Sequence, residues 1–219
     1  MPKNAFGFDT GPSGTFTSIM KYDARAGRFF RMDRVQDNTG NFVTEDVDIT
    51  HSLKAIVDFK NLMVGWMHFA TGTAPDFKLV PYGNDIPDRP SDKHKNGVRI
   101  MMKLSKDCGG DKPIRELAGT SKALISGLEA LFVQYLAEKD GYPGKLPVVV
   151  LEKTTLVKSG SGDKASTNYQ PVFKIIAWAE RGDLGSVAPP LNPDSNPPAA
   201  GSTLAEAPVA AEMVDADDF

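Results

Sequence analysis

One segment of the chain has the period of an amphipathic helix, whereas most other patterned segments are typical of strands. The helical segment carries large apolar side chains at positions i, i+4, i+7, i+8 and i+11, namely Leu124, Leu128, Leu131, Phe132 and Tyr135. Thr120 or Ser121 is suited to cap its start, and Gly141 with Pro143 is suited to end it. A single helix among strand-like segments predicts a mainly β fold.

The strand-like segments alternate or are rich in β-branched and aromatic residues. They are Thr15–Tyr22, Arg28–Val35, Ala55–Phe69, Val98–Ser105, Val148–Val157 and Pro171–Ala179. We expect Ala55–Phe69 to bend near Gly65, and residues 71–97, with four prolines, to form a loop. The last two strands should form a hairpin with a flexible tip.

The order of these elements predicts an OB-fold-like five-stranded barrel with long loops. Such a barrel has one helix between its third and fourth strands and a functional loop between its fourth and fifth. The helix would close one end of the barrel with its apolar stripe. An antiparallel α+β sandwich would give much the same order, so both architectures remain open at this point.

The charge distribution divides the chain into a body, residues 1–182, and a tail, residues 183–219. The tail contains seven acids, no Lys or Arg, and few large apolar side chains, so we expect it to be disordered. The body holds all 25 basic residues against the other 21 of the 28 acids, a net charge of +4. A basic body with an acidic tail is expected where the tail competes with a polyanion, although acidic tails also serve solubility.

A stretch that interleaves basic and aromatic residues covers two predicted strands and their turn. Its members are Lys21, Tyr22, Arg25, Arg28, Phe30, Arg31 and Arg34. Single-stranded nucleic acid needs this combination, because cations neutralise phosphates while rings stack on bases. On the second strand the face with Arg28, Phe30 and Arg34 is the better candidate. The alternative is that Phe30 and Met32 belong to the core.

Further candidates for the same role lie elsewhere in the chain. They are Trp66, the outward Arg99 and Lys103, and, in the last hairpin, Lys158, Lys164 and Tyr169. The alternative for the charged ones is plain solvated surface. We assign Trp178 to the core, since it continues an alternating apolar pattern.

Signatures of enzymes and of metal sites are absent from the sequence. The glycines near Gly11 lack the Lys-Ser/Thr of a phosphate-binding loop, and the segment around Ser159 is not a nucleophile elbow. The three histidines and the single Cys108 lack zinc-ligand spacing, and one cysteine forms no disulfide framework. No signal peptide or membrane span is visible. We therefore expect a cytoplasmic protein without cofactor or metal that is not an enzyme.

The last residues of the chain carry a family resemblance. Asp215, Asp217, Asp218 and Phe219 form a compact anionic peptide with one apolar anchor, suited to a basic pocket with an apolar floor. They resemble the tails of single-stranded DNA-binding proteins of bacteria and their phages, where acids and a terminal Phe bind replication and repair partners. The acids here are few and no Pro precedes the Phe, which departs from bacterial tails.

The resemblance implies a phage-type single-stranded DNA-binding protein acting in DNA replication, recombination and repair in a bacterial host cell. Residues 1–182 would bind single-stranded DNA with little sequence specificity, as a monomer or a homo-oligomer, and the tail would recruit protein partners. Two alternatives stay open. One is a phage structural or interaction module that binds no nucleic acid, and the other is a metal-dependent nuclease.

Overall fold

The computed structural model describes residues 17–159, 165–182 and 184. These described residues form ten strands and two α-helices, with short 3₁₀ turns at Phe59–Asn61 and Lys139–Gly141. The strands are β1 (Ile19–Asp23), β2 (Arg28–Gln36), β3 (Phe42–Asp48), β4 (Lys54–Val57), β5 (Met63–His68), β6 (Asp76–Pro81), β7 (Lys95–Leu104), β8 (Ile114–Gly119), β9 (Leu146–Ser159) and β10 (Ser166–Ala179). The helices are α1 (Lys106–Gly109) and α2 (Lys122–Glu138).

All ten strands belong to one sheet whose main path runs β10-β9-β4-β7-β8-β1-β2-β3. The pairings are antiparallel except that of β1 with β8, which is parallel. The long strand β7 pairs along one edge with both β4 and β5, and β5 continues the sheet to β6. Within the described ranges β10 and β3 end the path without pairing to each other, so the sheet is open.

The core lies between the sheet and α2. The helix buries one face that includes Leu124, Leu128 and Leu131, and Gly127 lets it approach the backbone of Pro171 on β10. A Cβ at Gly127 would overlap the Pro171 carbonyl oxygen, so this contact requires glycine. The helix is thereby held across the sheet, with its start beside the first residues of β7.

The prediction of a mainly β fold with one long helix is confirmed. The helix begins directly after Ser121, and β7 buries Val98, Ile100 and Leu104 on one face as its alternation indicates. Trp178 is buried and stacks on Tyr142 with ring centroids 4.6 Å apart.

The segment Ala55–Phe69 forms two strands rather than one bent strand. A 3₁₀ turn after the buried Asp58 separates β4 from β5, so the break lies before Gly65. Gly65 has a different role, since its φ of 149° and the close Lys78 carbonyl leave no room for a side chain. It allows β6 to approach β5 closely.

Four further elements depart from the sequence prediction. Residues 71–97, predicted as a loop, contain β6 and the first residues of β7, and neither β3 nor β8 was predicted. Most of β3 is exposed on both faces, so it shows no apolar alternation. Met101 lies on the same face of β7 as Arg99 and Lys103, which were predicted to point outward, and it is buried.

The chain stays attached to the body after β10. Arg181 donates from Nη2 to Asp58 Oδ2 at 2.8 Å, and Asp58 is completely buried. Leu184 is also buried, in a small cluster with Ile56, Leu146 and Val148. These contacts form a clasp between the end of β10 and the turn after β4.

Among the described residues, no helix combines the length and apolarity needed to cross a lipid bilayer.

Candidate functional site

A continuous trough crosses one side of the molecule where six parts of the fold meet. Two adjoining cavities of about 680 and 690 Å³ compose it, and they share four lining residues, Lys95, Thr120, Lys122 and Ser126. The first cavity lies between the β1–β2 turn, the start of α2 and the β9–β10 hairpin. The second extends from the start of β7 to Trp66 on β5 and to the loop after β6.

The trough is strongly basic. Its cationic side chains are Lys21, Arg25, Arg89, Lys95, Lys122 and Lys158. Asp23 is the one acid among the described residues that line it, and its Oδ1 accepts hydrogen bonds from the backbone N–H groups of Arg25 and Ala26. A concave surface with six cations and one engaged carboxylate concentrates positive potential and attracts polyanions.

Four of these cations are available for an external anion. Arg25, Lys95, Lys122 and Lys158 form no ion pair with any residue that the structure describes. Lys21 pairs with Asp46, and Arg89 donates to the backbone carbonyls of Asp92 and His94.

The start of α2 adds to this potential instead of offsetting it. The first backbone N–H groups of a helix have no intrahelical acceptor and carry a partial positive charge. Ser121 makes no side-chain capping hydrogen bond, and the first turn contains Lys122 in place of an acid.

At one end of the trough an indole ring is held in place by the loop after β6. Trp66 donates from Nε1 to the Pro87 carbonyl at 2.7 Å, and Arg89 Cζ lies 5.7 Å from the centroid of the ring. The buried His94 anchors the same loop, with Nε2 at 3.2 Å from Asp76 Oδ2 and Nδ1 at 2.9 Å from Ser91 Oγ. An aromatic ring is therefore fixed beside the cations.

At the other end Tyr22 connects the β1–β2 turn to the last hairpin. Its phenol donates to the Tyr169 carbonyl at 2.6 Å, and its ring packs on Phe29 with centroids 4.4 Å apart. Burial, and to a lesser degree the Asp23 carboxylate, raises the pKa of Tyr22 to about 12. The phenol therefore stays protonated and donates this hydrogen bond at physiological pH.

We predict that Tyr22→Phe lowers the free energy of unfolding by about 1 kcal/mol near neutral pH, since one hydrogen bond is lost. Because the folded-state pKa is raised, the stability that this phenol contributes is complete below about pH 10 and is lost as the pH rises through about 12. Urea unfolding of the wild type and of Tyr22→Phe, near pH 8 and near pH 11, measures the difference in their free energies of unfolding. This difference should be smaller at the higher pH. A stability difference that does not change with pH would contradict the role of this partly buried hydrogen bond.

Five of the residues predicted from the sequence line the trough. They are Lys21, Tyr22, Arg25, Trp66 and Lys158. Three others, Arg28, Phe30 and Arg34, lie on β2 outside it. Lys164 lies outside the described residues, as do the four partner-binding candidates Asp215, Asp217, Asp218 and Phe219.

The side chains of four other predicted residues make structural contacts and do not line the trough. Arg99 pairs with Glu116 at 2.6 Å, and Arg31 pairs with Asp33 at 2.8 Å. Lys103 is half-buried near the end of β7. Tyr169 packs against Gly27, whose positive φ and missing side chain make room for the ring.

Arg31 belongs to an ion-pair network around a buried arginine. Arg115 is almost completely buried and donates to Asp33 Oδ1 at 2.6 Å and to the Met32 carbonyl at 2.9 Å. Arg31 holds the other oxygen of Asp33 and also donates to the Cys108 carbonyl. These bonds connect β2, β8 and α1, so we assign this pair of arginines to the fold.

Three of the trough's cations were not predicted from the sequence. A signal exists for Lys122, because acids are favoured in the first turn of a helix and a lysine directly after the cap departs from that rule. Lys95 and Arg89 carry no such signal, since both lie in residues 71–97, the segment predicted as a loop.

Comparison of the chain with protein-family models, curated proteins and solved structures gives no match. Function is therefore inferred from the trough and from the arrangement of strands around it.

Proposed function

We propose that the protein binds single-stranded DNA in the trough, with little sequence preference, and acts in phage DNA replication, recombination and repair. The observation that carries the proposal is the set of six cations along one concave surface, four of them without an ion-pair partner in the described chain. Successive phosphates of a strand are the polyanion that such a row of charges fits.

The kinds of side chain in the trough favour weak sequence preference. Most of its cations are lysines, whose flexible ammonium groups neutralise phosphates without fixing a base edge. Trp66 offers a ring on which any base can stack, because every base has a π-face. Neither feature reads sequence through directed hydrogen bonds.

The strand order supports an OB-like barrel as the framework of this site. With β4 and β5 taken as two halves of one interrupted strand, the path β10-β9-β4-β7-β8 has the order of strands 5-4-1-2-3 of an OB fold. The helix α2 lies between the third and fourth of these strands. On this proposal β1, β2 and β3 are an addition to the barrel.

The position of the trough agrees with that framework. OB folds bind nucleic acid on the face of strands 2 and 3, between the loop joining strands 1 and 2 and the loop joining strands 4 and 5. Here the segment that joins the first two barrel strands contributes Arg89, which lies after β6. The hairpin of the last two barrel strands contributes Lys158 on β9 and Asn168 on β10. The strand arrangement supports only the proposal of an OB-like fold. The proposed function is supported separately, by the charges and the aromatic ring of the trough.

We expect the protein to bind a fluorescently labelled single strand more tightly than the duplex of the same sequence. If four to six phosphates are neutralised, the logarithm of the binding constant should fall with the logarithm of salt concentration with a slope of about −3 to −4. Fluorescence anisotropy at several salt concentrations measures the two affinities and the salt slope. Equal affinity for duplex and single strand, or no binding to either at low salt, would refute the proposal and favour an interaction module. Cleavage of the oligonucleotide that requires Mg²⁺ would favour a nuclease.

Recruitment of replication and recombination proteins through Asp215, Asp217, Asp218 and Phe219 stays a prediction from the sequence. The charge of this segment, opposite to that of the trough, is consistent with a partner surface that is also basic.

A further inference from the structure

The outward face of the β1–β2–β3 sheet carries a second group of aromatic and basic side chains. We call it the outer stripe and define it by Lys21, Phe30, Arg34 and Phe42. Lys21 lies opposite Phe30 in the β1–β2 register, and Phe42 lies opposite Gln36 in the β2–β3 register. Alternation along β2 places Phe30, Arg34 and Gln36 on the same face.

Both aromatic rings of the stripe are accessible and each has a cation against it. Phe42 is 61% exposed, and Arg34 Cζ lies 4.7 Å from the centroid of its ring. Phe30 is half-buried, with Lys21 Nζ 5.5 Å from its ring centroid. The core alternative for Phe30 therefore does not apply, since the neighbouring Phe29 fills the core instead. A phenylalanine as exposed as Phe42 adds nothing to the core.

The stripe is continuous with the trough. Lys21 lines the trough and at the same time lies against the ring of Phe30. A strand that leaves the trough past Lys21 reaches Phe30 first. Phe42 lies opposite Gln36, which is six residues beyond Phe30 on β2, a distance of about 20 Å at about 3.4 Å per residue.

The charge of the stripe differs from that of the trough. Lys21 pairs with Asp46, and the adjoining Arg28 pairs with Asp48 at 2.7 Å. These carboxylates offset the nearby cations, so the stripe is poorly suited to collecting phosphates. Its exposed rings and the guanidinium plane of Arg34 are suited to stacking on flat, uncharged π-systems.

We propose that the outer stripe is a stacking track for bases of the same single strand after it leaves the trough, with Phe42 at its far end. The inference rests on the proposed function, because it assigns the stripe to the DNA that the trough holds. It predicts that the contribution of Phe42 to affinity depends on oligonucleotide length, because a short oligonucleotide occupies only the trough and a long one reaches Phe42.

The test compares oligonucleotides of about 6 and about 16 nucleotides, within the range of site sizes of single OB domains. Phe42→Ala should weaken binding of the long oligonucleotide by roughly 5- to 150-fold, the effect of losing one stacked base. Binding of the short one should change less than about twofold, and the salt dependence should not change, because no phosphate contact is removed. Phe42→Tyr keeps a ring and should bind like the wild type.

Tyr82→Ala is the matched control, because Tyr82 is also an exposed aromatic residue and lies outside both trough and stripe. Unchanged thermal unfolding of Phe42→Ala verifies that the variant is folded. Full affinity of Phe42→Ala for the long oligonucleotide would overturn the inference while leaving the trough proposal intact, and the stripe would then face a protein partner. No binding of wild-type protein to either oligonucleotide would instead refute the proposed function, and the inference with it.

Discussion

Replacing Lys95, Lys122 and Lys158 together by alanine should weaken single-stranded DNA binding about 100-fold near 0.1 M salt. On single strands each phosphate contact contributes about 0.7 to the salt slope, so each is worth about fivefold at that salt concentration. Three lost contacts multiply to about 100-fold and reduce the slope by about 2. Anisotropy titrations at several salt concentrations measure both quantities.

These three lysines are chosen because they come from three different elements and have no ion-pair partner among the residues that the structure describes. They lie at the start of β7, the start of α2 and the end of β9, and none has an ion pair with a described residue. Their removal should leave the fold intact, since none of them pairs with a carboxylate of the described residues. Removing Lys122 should even favour the helix slightly, because a cation in the first turn opposes the helix dipole.

A matched variant separates a local effect from a change in net charge. Lys60, Lys106 and Lys174 are exposed and line neither part of the trough. Replacing them by alanine removes the same number of positive charges and should leave the salt slope unchanged. Similar losses in both triple variants would mean that binding follows net charge, and the trough would not be the site.

The parts of the fold that could be predicted are those in which each segment carries its own periodicity. The apolar stripe of α2 and the alternation of Val98, Ile100 and Leu104 follow from local geometry alone, and both are confirmed. The strands that were missed lack such a pattern. β3 is exposed almost throughout, and β6 lies among prolines and glycines that are typical of loops.

The trough could be predicted only in part, because it is assembled from segments distant in sequence. The basic–aromatic stretch predicted Lys21 and Arg25, which line the trough. It also predicted Arg31, which is held in an ion-pair network instead. Sequence alone does not distinguish these arginines, since the acid that engages Arg31 is set by strand geometry. Lys95 and Lys122 line the same cavity only because the folded chain brings the start of β7 beside the start of α2.

Arg181→Met should lower the free energy of unfolding by about 3 kcal/mol. Asp58 is fully buried, and Arg181 supplies its cationic partner through Nη2 at 2.8 Å and Nε at 3.3 Å. Removing one partner of a buried ion pair costs about 3 to 5 kcal/mol because the other charge stays buried. The lower value applies because the Arg181 side chain is 38% exposed and the pair is partly solvated.

For a chain of this size that loss lowers Tm by roughly 6 to 12 °C, which differential scanning calorimetry measures directly. Lys139→Met is the matched control, since Lys139 pairs with Asp140 on the surface, where an ion pair contributes little to stability. Its Tm should stay close to that of the wild type.

The double variant Asp58→Asn/Arg181→Met identifies the cause of the loss. A neutral amide needs no cation, and Asn61 Nδ2, now 2.7 Å from Asp58 Oδ2, can still donate to the side-chain oxygen that replaces it. The double variant should therefore be more stable than Arg181→Met alone, although it has lost both charges. A double variant that is less stable than Arg181→Met would contradict this explanation. Arg181 would then stabilise the fold through the packing of its aliphatic stem and not through its charge. DNA affinity should be unaffected in either variant at temperatures where it is folded, because neither Asp58 nor Arg181 lines the trough.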